Sequence, residues 1–131
     1  MSDDPTSPPL GRSGWIDLTV PDADRVRAFY EKVVGWTNVP VDMGGYSDFC
    51  MMPPGARDGD APAAGVCHAR GVNADLPPVW MVYFVVEDLD TSVEQVRALG
   101  GELLRPVKTM GRAKYAVIRD PAGAVCALYQ A

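Results

Sequence analysis

Apolar residues alternate with other residues over positions 15–20 and then recur at helical spacing. The alternating residues, which indicate a β-strand, are Ile16, Leu18 and Val20. The residues at helical spacing are Val26, Phe29, Tyr30 and Val33. Asp22 can cap this helix and Gly35 is a residue type that commonly ends one. The pattern therefore predicts a strand followed by a helix.

Three further strands are predicted after this helix, and the whole order then occurs a second time. The later strands of the first half lie at about residues 37–43, 46–52 and 64–70. The strands of the second half lie at about residues 80–86, 102–108, 114–119 and 124–129. Gly44-Gly45 predicts a tight turn, and residues 53–63 are a loop by composition. A capping box at Thr91-x-x-Glu94 predicts the start of the second helix, and Gly100-Gly101 its end.

The two halves align with each other as an internal repeat. An offset of 66 residues places Val20 over Val86, Asp22 over Asp88, Asp24 over Asp90 and Gly35 over Gly101. In the last strand of each half, an offset of 59 residues places His68 over Ala127. A repeat that keeps the order of elements and the helix boundaries indicates two copies of one supersecondary unit.

The composition of the chain favours a globular protein over a disordered, nucleic-acid-binding or membrane-spanning one. The chain has 131 residues, of which 47% are hydrophobic and 22% charged, with a net charge of −5 and no basic block. This balance predicts a globular protein and argues against nucleic-acid binding. No apolar stretch approaches the roughly 18 residues of a membrane-spanning helix. We predict a disordered tail at residues 1–13 and one domain at 14–131, made of module 1 (about 14–71), a linker (72–78) and module 2 (about 79–131).

Cysteine usage and the N-terminus favour a reduced, cytoplasmic protein. The three cysteines are Cys50, Cys67 and Cys126, and no pair has the CxxC spacing of a zinc knuckle. Residues 1–5 carry no basic start and no apolar run, so they do not indicate a signal peptide.

Several segments together resemble the vicinal oxygen chelate superfamily, which includes glyoxalase I, bleomycin-resistance proteins and extradiol dioxygenases. The segments are Asp17-Leu18-Thr19-Val20-Pro21-Asp22-x-Asp24, Phe29-Tyr30-Glu31-x-Val33-x-Gly35-Trp36, Phe84-Val85-Val86-Glu87-Asp88-Leu89-Asp90 and Asp120-Pro121-x-Gly123. Residues 65–71 are similar to the glyoxalase-like subgroup. The resemblance implies an α+β fold, in which two βαβββ modules form a curved mixed sheet around a cavity.

The resemblance also implies where a catalytic metal would be bound. Metal-dependent members place ligands near the start of the first strand and on the last strand of each module. The matching positions here are Trp15, Met81, His68 and Ala127. Only His68 can bind a hard divalent ion, and a shift by one residue would add Asp17 but still not a third ligand. We therefore expect no metal and no other cofactor, with a divalent metal as the disfavoured alternative.

If those positions face the cavity, alternation predicts which side chains line it. The expected ligand-binding residues are Trp15, Asp17, His68, Arg70, Met81, Tyr83 and Tyr129. Three rings, those of Trp15, Tyr83 and Tyr129, could stack on a planar ligand, and Arg70 could bind an anionic group. In an enzyme, Asp17 and His68 could pair as a general base.

The same alternation places the side chains of Cys67 and Cys126 on the opposite face of the sheet from the cavity. That face should contact the helices, so both thiols are expected to be inert.

Three functions follow, in order of preference. The first is a metal-independent glyoxalase- or bleomycin-resistance-like protein that binds a small organic molecule in the cavity. The second is a lyase, isomerase or dioxygenase-type enzyme that uses Asp17 and His68, with or without a divalent metal. The third is an interaction module whose cavity has collapsed. We expect a small-molecule ligand, no nucleic-acid or membrane partner, and a homodimer, because exposed strand edges favour symmetric pairing.

Overall fold

The computed structural model describes residues 9–131, which form two compact units. The first unit comprises residues 16–80, and the second comprises residues 9–15 together with residues 81–131. The elements of the first repeat are β1 (Ser13–Val20), α1 (Ala23–Val34), β2 (Thr37–Asp42), β3 (Ser47–Met52) and β4 (Ala64–His68). Those of the second are β5 (Trp80–Val85), α2 (Leu89–Ala98), β6 (Glu102–Leu103), β7 (Lys108–Met110), β8 (Ala113–Arg119) and β9 (Val125–Gln130). The predicted α+β class and the repeated strand–helix–strand order are confirmed.

The first unit is a four-stranded mixed sheet with α1 on one face. Its strand order is β2–β3–β4–β1, with β1 parallel to β4 and the other pairs antiparallel. The buried core is formed by Leu18, Val20, Ala23, Phe49, Met51, Ala64 and Val66. Because side chains alternate along a strand, these residues mark the face of the sheet that contacts α1.

The second unit repeats this arrangement with α2. Its strand order is β5–β9–β8–β6, β7 also pairs with β8, and β5 is parallel to β9. The core on the side of α2 contains Leu89, Val93 and Ala116, with Leu103 and Leu128 packed against it.

Both helices begin at an aspartate, which moves the start of α2 from the predicted position. The carboxylates of Asp22 and Asp88 each accept a backbone N–H three residues later, at 3.2 Å in both cases. The second helix therefore starts at Leu89 and not at Thr91. Leu89 is buried in the core, so packing extends the helix by one more turn than the capping box predicts.

The predicted strand over residues 102–108 is divided into β6 and β7. Leu104 still donates its N–H to the carbonyl of Val117 at 2.9 Å. Pro106 has no N–H to donate, so the ladder to β8 is interrupted there and resumes at Lys108.

The last strands of the two repeats align at an offset of 62 residues, whereas the sequence predicted an offset of 59. Asp17 pairs with Gly65, and its repeat equivalent Tyr83 pairs with Ala127. Gly65 is thus the counterpart of Ala127, and His68 is the counterpart of Gln130. The side-chain contacts of His68 and Gln130 support this alignment, because each side chain reaches the first turn of the helix in its own unit. Nε2 of His68 lies 3.4 Å from Oδ2 of Asp24, and Oε1 of Gln130 accepts the N–H of Leu89 at 2.7 Å.

The predicted tail falls partly outside the described residues, which begin at position 9. Within them, Gly11 donates its N–H to the carbonyl of Val85 at 2.8 Å, and Val85 donates to the carbonyl of Arg12 at 2.9 Å. Strand β1 then begins at Ser13, one residue before the predicted start of the domain. Among residues 9–131, no helix has the length and apolar character needed to cross a membrane.

Gly101 is expected to be required where α2 meets β8. Its N–H is donated to the carbonyl of Val96 at 2.8 Å. A Cβ at this position would lie 2.8 Å from the carbonyl oxygen of Arg119 and 2.9 Å from Cγ1 of Val96. Gly101→Ala should therefore lower the free energy of unfolding by about 2–3 kcal/mol, as overpacking does. Urea denaturation measures this loss.

Gly44→Ala is the control for Gly101→Ala, because Gly44 has a φ of 84° but open space around it. It should cost only about 1 kcal/mol of backbone strain. Equal losses in the two variants would contradict the steric account.

Candidate functional site

Each sheet has one face against its helix and one face turned away from it, called here the far face. On the far face of the first unit lie Asp17, Thr19 and Cys67, because they alternate with or pair beside the core residues of β1 and β4. Asp48 and Cys50 belong to the same face through the β3–β4 pairing. The far face of the second unit carries Tyr83, Tyr115, Ala127 and Tyr129.

The Cys67 thiol lies between two carboxylates on the first far face. Burial raises its pKa, and the nearby charges of Asp17 and Asp48 raise it further. The thiol also hydrogen-bonds the carboxylate of Asp48. Cys67 therefore stays protonated at neutral pH and is a poor nucleophile. The expectation that its side chain faces the helix is wrong, because the register of β4 places it beside Thr19.

Asp48 is a residue that the sequence analysis did not select, and it connects Cys67 to His68. Its Oδ1 accepts the backbone N–H of His68 at 2.8 Å and lies 3.4 Å from Nδ1 of the same residue. The side chains of Asp48 and His68 are 15% and 12% exposed, so water screens this cluster only in part. No pattern in the sequence marked Asp48, since it follows Ser47 at the polar start of an otherwise apolar strand.

His68 points to the side of α1 and not to the far face. Its ring lies edge-on to Tyr46, with centroids 5.5 Å apart, and its Nε2 is directed at Asp24. Because Asp17 pairs with Gly65 and His68 with Val20, the side chains of Asp17 and His68 are on opposite faces. The predicted pairing of Asp17 with His68 is therefore wrong. The carboxylates beside His68 belong to Asp24 and Asp48.

Arg70 lies beyond the end of β4 and stacks on Tyr46. Its guanidinium carbon is 4.1 Å from the centroid of the Tyr46 ring. Arg70 is exposed, so a cation–π contact holds it while its donors remain free to reach an anion.

A pocket of about 490 Å³ opens on the far face of the first unit. Strands β2 and β3 contribute Thr37, Val39, Cys50 and Met52, and the following loop contributes Ala56, Arg57, Asp58, Gly59, Asp60 and Pro62. This size falls in the range of small-molecule sites. The sequence signal for the pocket is the long loop of the first repeat, whose composition predicts a loop but does not indicate that it lines a pocket.

Three tyrosines cover the far face of the second unit. The rings of Tyr83 and Tyr115 have centroids 5.8 Å apart, and Tyr115 pairs directly with Tyr129. Strand β9 lies between β5 and β8, so Tyr83 and Tyr115 meet across it. Ala127 of β9 is 0% exposed, and its small side chain leaves the space that the rings occupy.

The remaining residues of the expected site differ in their exposure. Met81 is only 2% exposed and is a core residue in this fold, while Trp15 is half-buried. Cys126 lies on the same side as Leu128, as expected for a thiol on the helix side, and burial raises its pKa.

The donor atoms do not fit a catalytic metal. Among residues 9–131, no three His, Cys, Asp or Glu side chains are grouped so that they could hold an ion. Of the four positions that the resemblance implies, Trp15 and Ala127 have no donor for a cation, Met81 is buried and His68 faces α1. No step of the chemistry is therefore assigned to a metal.

The family of the chain follows from comparison with known proteins. The protein-family model of the glyoxalase-like domain matches residues 15–129 of the sequence. The chain belongs to this family. It is 33% identical over 126 residues to CFP32 of Mycobacterium tuberculosis, provisionally named a glyoxylase, covering 92% of this chain and 46% of that protein. It is 33% identical over 135 residues to the anthracycline biosynthesis protein DnrV of Streptomyces peucetius, covering 92% and 47%.

The chain spans about half the length of the curated relatives it matches. Among solved structures, methylmalonyl-CoA epimerase of M. tuberculosis is 19% identical with a TM-score of 0.53, covering 88% of this chain and 84% of that one. The epimerase of Streptomyces coelicolor with 2-nitronate-propionyl-CoA is 17% identical with a TM-score of 0.59, covering 94% and 99%. These two likenesses show that the chain shares the fold of these epimerases.

The stability of the protein should fall in alkaline solution through Cys67. The pKa of this thiol is raised in the folded state, whereas an unfolded cysteine loses its proton near pH 8.5. Stability is therefore complete below about pH 8 and is lost as the pH rises, by up to about 2 kcal/mol at pH 10. Urea denaturation between pH 7 and pH 10 measures the slope.

The comparison variant for this slope is Cys67→Ala, in which the decline above pH 8 should become shallower. Cys126→Ala removes a thiol that is less deeply buried and should change the slope less. An unchanged slope in Cys67→Ala would contradict the assignment.

Proposed function

We propose that this glyoxalase-like protein binds a small organic molecule, without a metal ion held by the protein, in the pocket on the far face of its first unit. The observation that carries this proposal is the pocket of about 490 Å³ beside β2 and β3. Pockets of this size on a rigid sheet are typical of sites for metabolites.

The lining suggests an amphipathic ligand. Val39, Cys50 and Met52 form an apolar floor from two paired strands. Arg57 and Asp58 come from the loop at the rim and can hydrogen-bond polar substituents. Such a pocket suits a molecule with an apolar body and one or two polar groups.

The tyrosines on the far face of the second unit support aromatic recognition as well. Tyr83 and Tyr129 were selected from the sequence as stacking residues, together with Trp15, and Tyr115 extends their surface. The names of relatives support an organic ligand: DnrV is an anthracycline biosynthesis protein, and an epimerase with this fold holds a CoA derivative.

An enzymatic role is the alternative, and the names of the glyoxylase and epimerase relatives favour it. The chain's own geometry favours it less, because Asp17 and His68 are on opposite faces of the sheet. His68 instead joins β4 to the first turn of α1 through Asp24, which is a structural role. The homodimer and the cytoplasmic location also remain predictions.

Val39→Lys should abolish ligand binding in the pocket. Val39 lines the pocket and is 51% exposed on the edge strand β2, so a lysine there should fill the pocket without unfolding the sheet. A thermal-shift screen of small aromatic and acidic metabolites identifies a ligand, and calorimetry should show at least a tenfold weaker affinity in the variant.

Val41→Lys is the matched control, on the same strand and the same face but outside the pocket, at 41% exposure. It should bind the ligand as the unmodified protein does. Equal loss of affinity in both variants would contradict the proposed site.

Ala127→Glu should not create a metal site. The new carboxylate would be buried beneath Tyr83 and Tyr115, which costs about 3 kcal/mol or more of stability. Denaturation with and without Zn²⁺, Ni²⁺ and Mn²⁺, together with elemental analysis, tests both points.

Ala122→Glu, in an exposed turn, is the control and should change stability little. Stoichiometric metal in the unmodified protein would overturn metal independence, and rescue of Ala127→Glu by one of these ions would contradict the prediction for that variant.

A further inference from the structure

A second opening lies on the α2 side of the sheet in the second unit, between α2 and the end of β8. It has a volume of about 410 Å³. Its lining comes from Thr91, Ser92, Gln95, Val96, Leu99, Gly101, Ile118, Arg119, Asp120 and Pro121. Ile118 lies on the same face as Ala116, which packs against α2, so this groove faces away from the tyrosines. It does not depend on the ligand site proposed above.

The internal repeat shows what fills the corresponding position in the first unit. At an offset of 66 residues, Val96 corresponds to Tyr30. Trp36 directly follows the left-handed glycine that ends α1, as Gly101 follows the left-handed glycine that ends α2, so Gly101 is the counterpart of Trp36. In the first unit Trp80 and Trp36 cover Tyr30, with ring centroids 5.0 and 5.9 Å from it. The indole N–H of Trp80 is donated to the hydroxyl of Tyr30 at 3.0 Å. Two indole rings therefore pack on Tyr30 beside α1 in the first unit.

The second unit lacks these rings. Valine and glycine stand where the first unit has tyrosine and tryptophan, and none of the residues that line the opening is aromatic. Leu99 at the mouth of the groove is 70% exposed. The framework of the groove is therefore kept while its aromatic filling is absent.

The charged groups at the rim already have partners within the chain. Nη1 of Arg119 lies 2.9 Å from Oε2 of Glu102. The carboxylate of Asp120 accepts the N–H groups of Ala122 and Ala124 at 2.8 and 3.0 Å. With its charged groups paired and its walls apolar, the groove is complementary to an uncharged guest and not to an ion.

We infer that this groove is a second binding site, which takes a neutral, planar aromatic molecule of about the size of indole. Burial of both ring faces against Val96, Leu99 and Ile118 provides the binding free energy through removal of apolar surface from water.

Titration with indole, followed by two-dimensional NMR of the intact protein, tests this site. Saturable shifts of the amides of Gln95, Val96 and Leu99 are expected, with a Kd near or below about 1 mM for a ligand of this size. Leu99→Ser should weaken binding about fivefold or more, because it removes an apolar wall. Val33→Ser is the matched control: Val33 is the repeat equivalent of Leu99, is 62% exposed and lies on α1, so the affinity should not change.

Val96→Tyr provides a second test, since it places in the groove the residue type that the first unit has there. It should abolish the shifts, and the thermal unfolding curve checks that the variant is folded. The inference is overturned if no saturable shift occurs near α2, if the shifts centre on Tyr83 and Tyr115 instead, or if a folded Val96→Tyr binds indole normally.

Discussion

The parallel pairing of the first and last strand of each repeat is the constraint on which the site depends. In the first unit Leu18 pairs with Val66 on the face that contacts α1, so Asp17, Thr19 and Cys67 must point the other way. A shift of β1 by one residue would exchange its faces and bury the Asp17 carboxylate against the helix, at a high cost in free energy. The apolar core therefore fixes the register, and the register places the polar groups.

This constraint explains why the two far faces differ chemically although their backbones match. In the first unit the counterpart of Ala127 is Gly65, and the surrounding residues are acidic groups and thiols. In the second unit the same position lies beneath tyrosine rings. The metal-dependent members of the superfamily require several ligands at such positions, and within residues 9–131 no three His, Cys, Asp or Glu side chains are grouped in this way.

Duplication has also left a difference on the helix sides. Trp36 and Trp80 pack on Tyr30 beside α1, while an open groove lies beside α2 over Val96. Two copies of one backbone can diverge in this way because the strands and helices are held by their buried residues, and the groove residues are free to change. The far faces and the helix sides can therefore carry separate binding roles.

The sequence by itself determined the α+β class, the duplication and the ends of α1, because alternation, helical spacing and the residue types of Asp22 and Gly35 act locally. It also separated Cys67 from His68, since neighbours in a strand point to opposite faces. It did not determine which of the two faces the helix. The last strand of the first repeat is apolar on both sides, so its own pattern fits either orientation, and the alignment of Gly-Val-Cys with Ala-Val-Cys favoured the wrong one. Only the pairing of β4 with β1 and β3 decided this. As a result of that pairing, His68 contacts Asp24, Asp48 lies beside Cys67, and the pocket opens beside Cys50. Contacts between residues distant along the chain form only when the sheet is assembled, so the sequence pattern could not predict them.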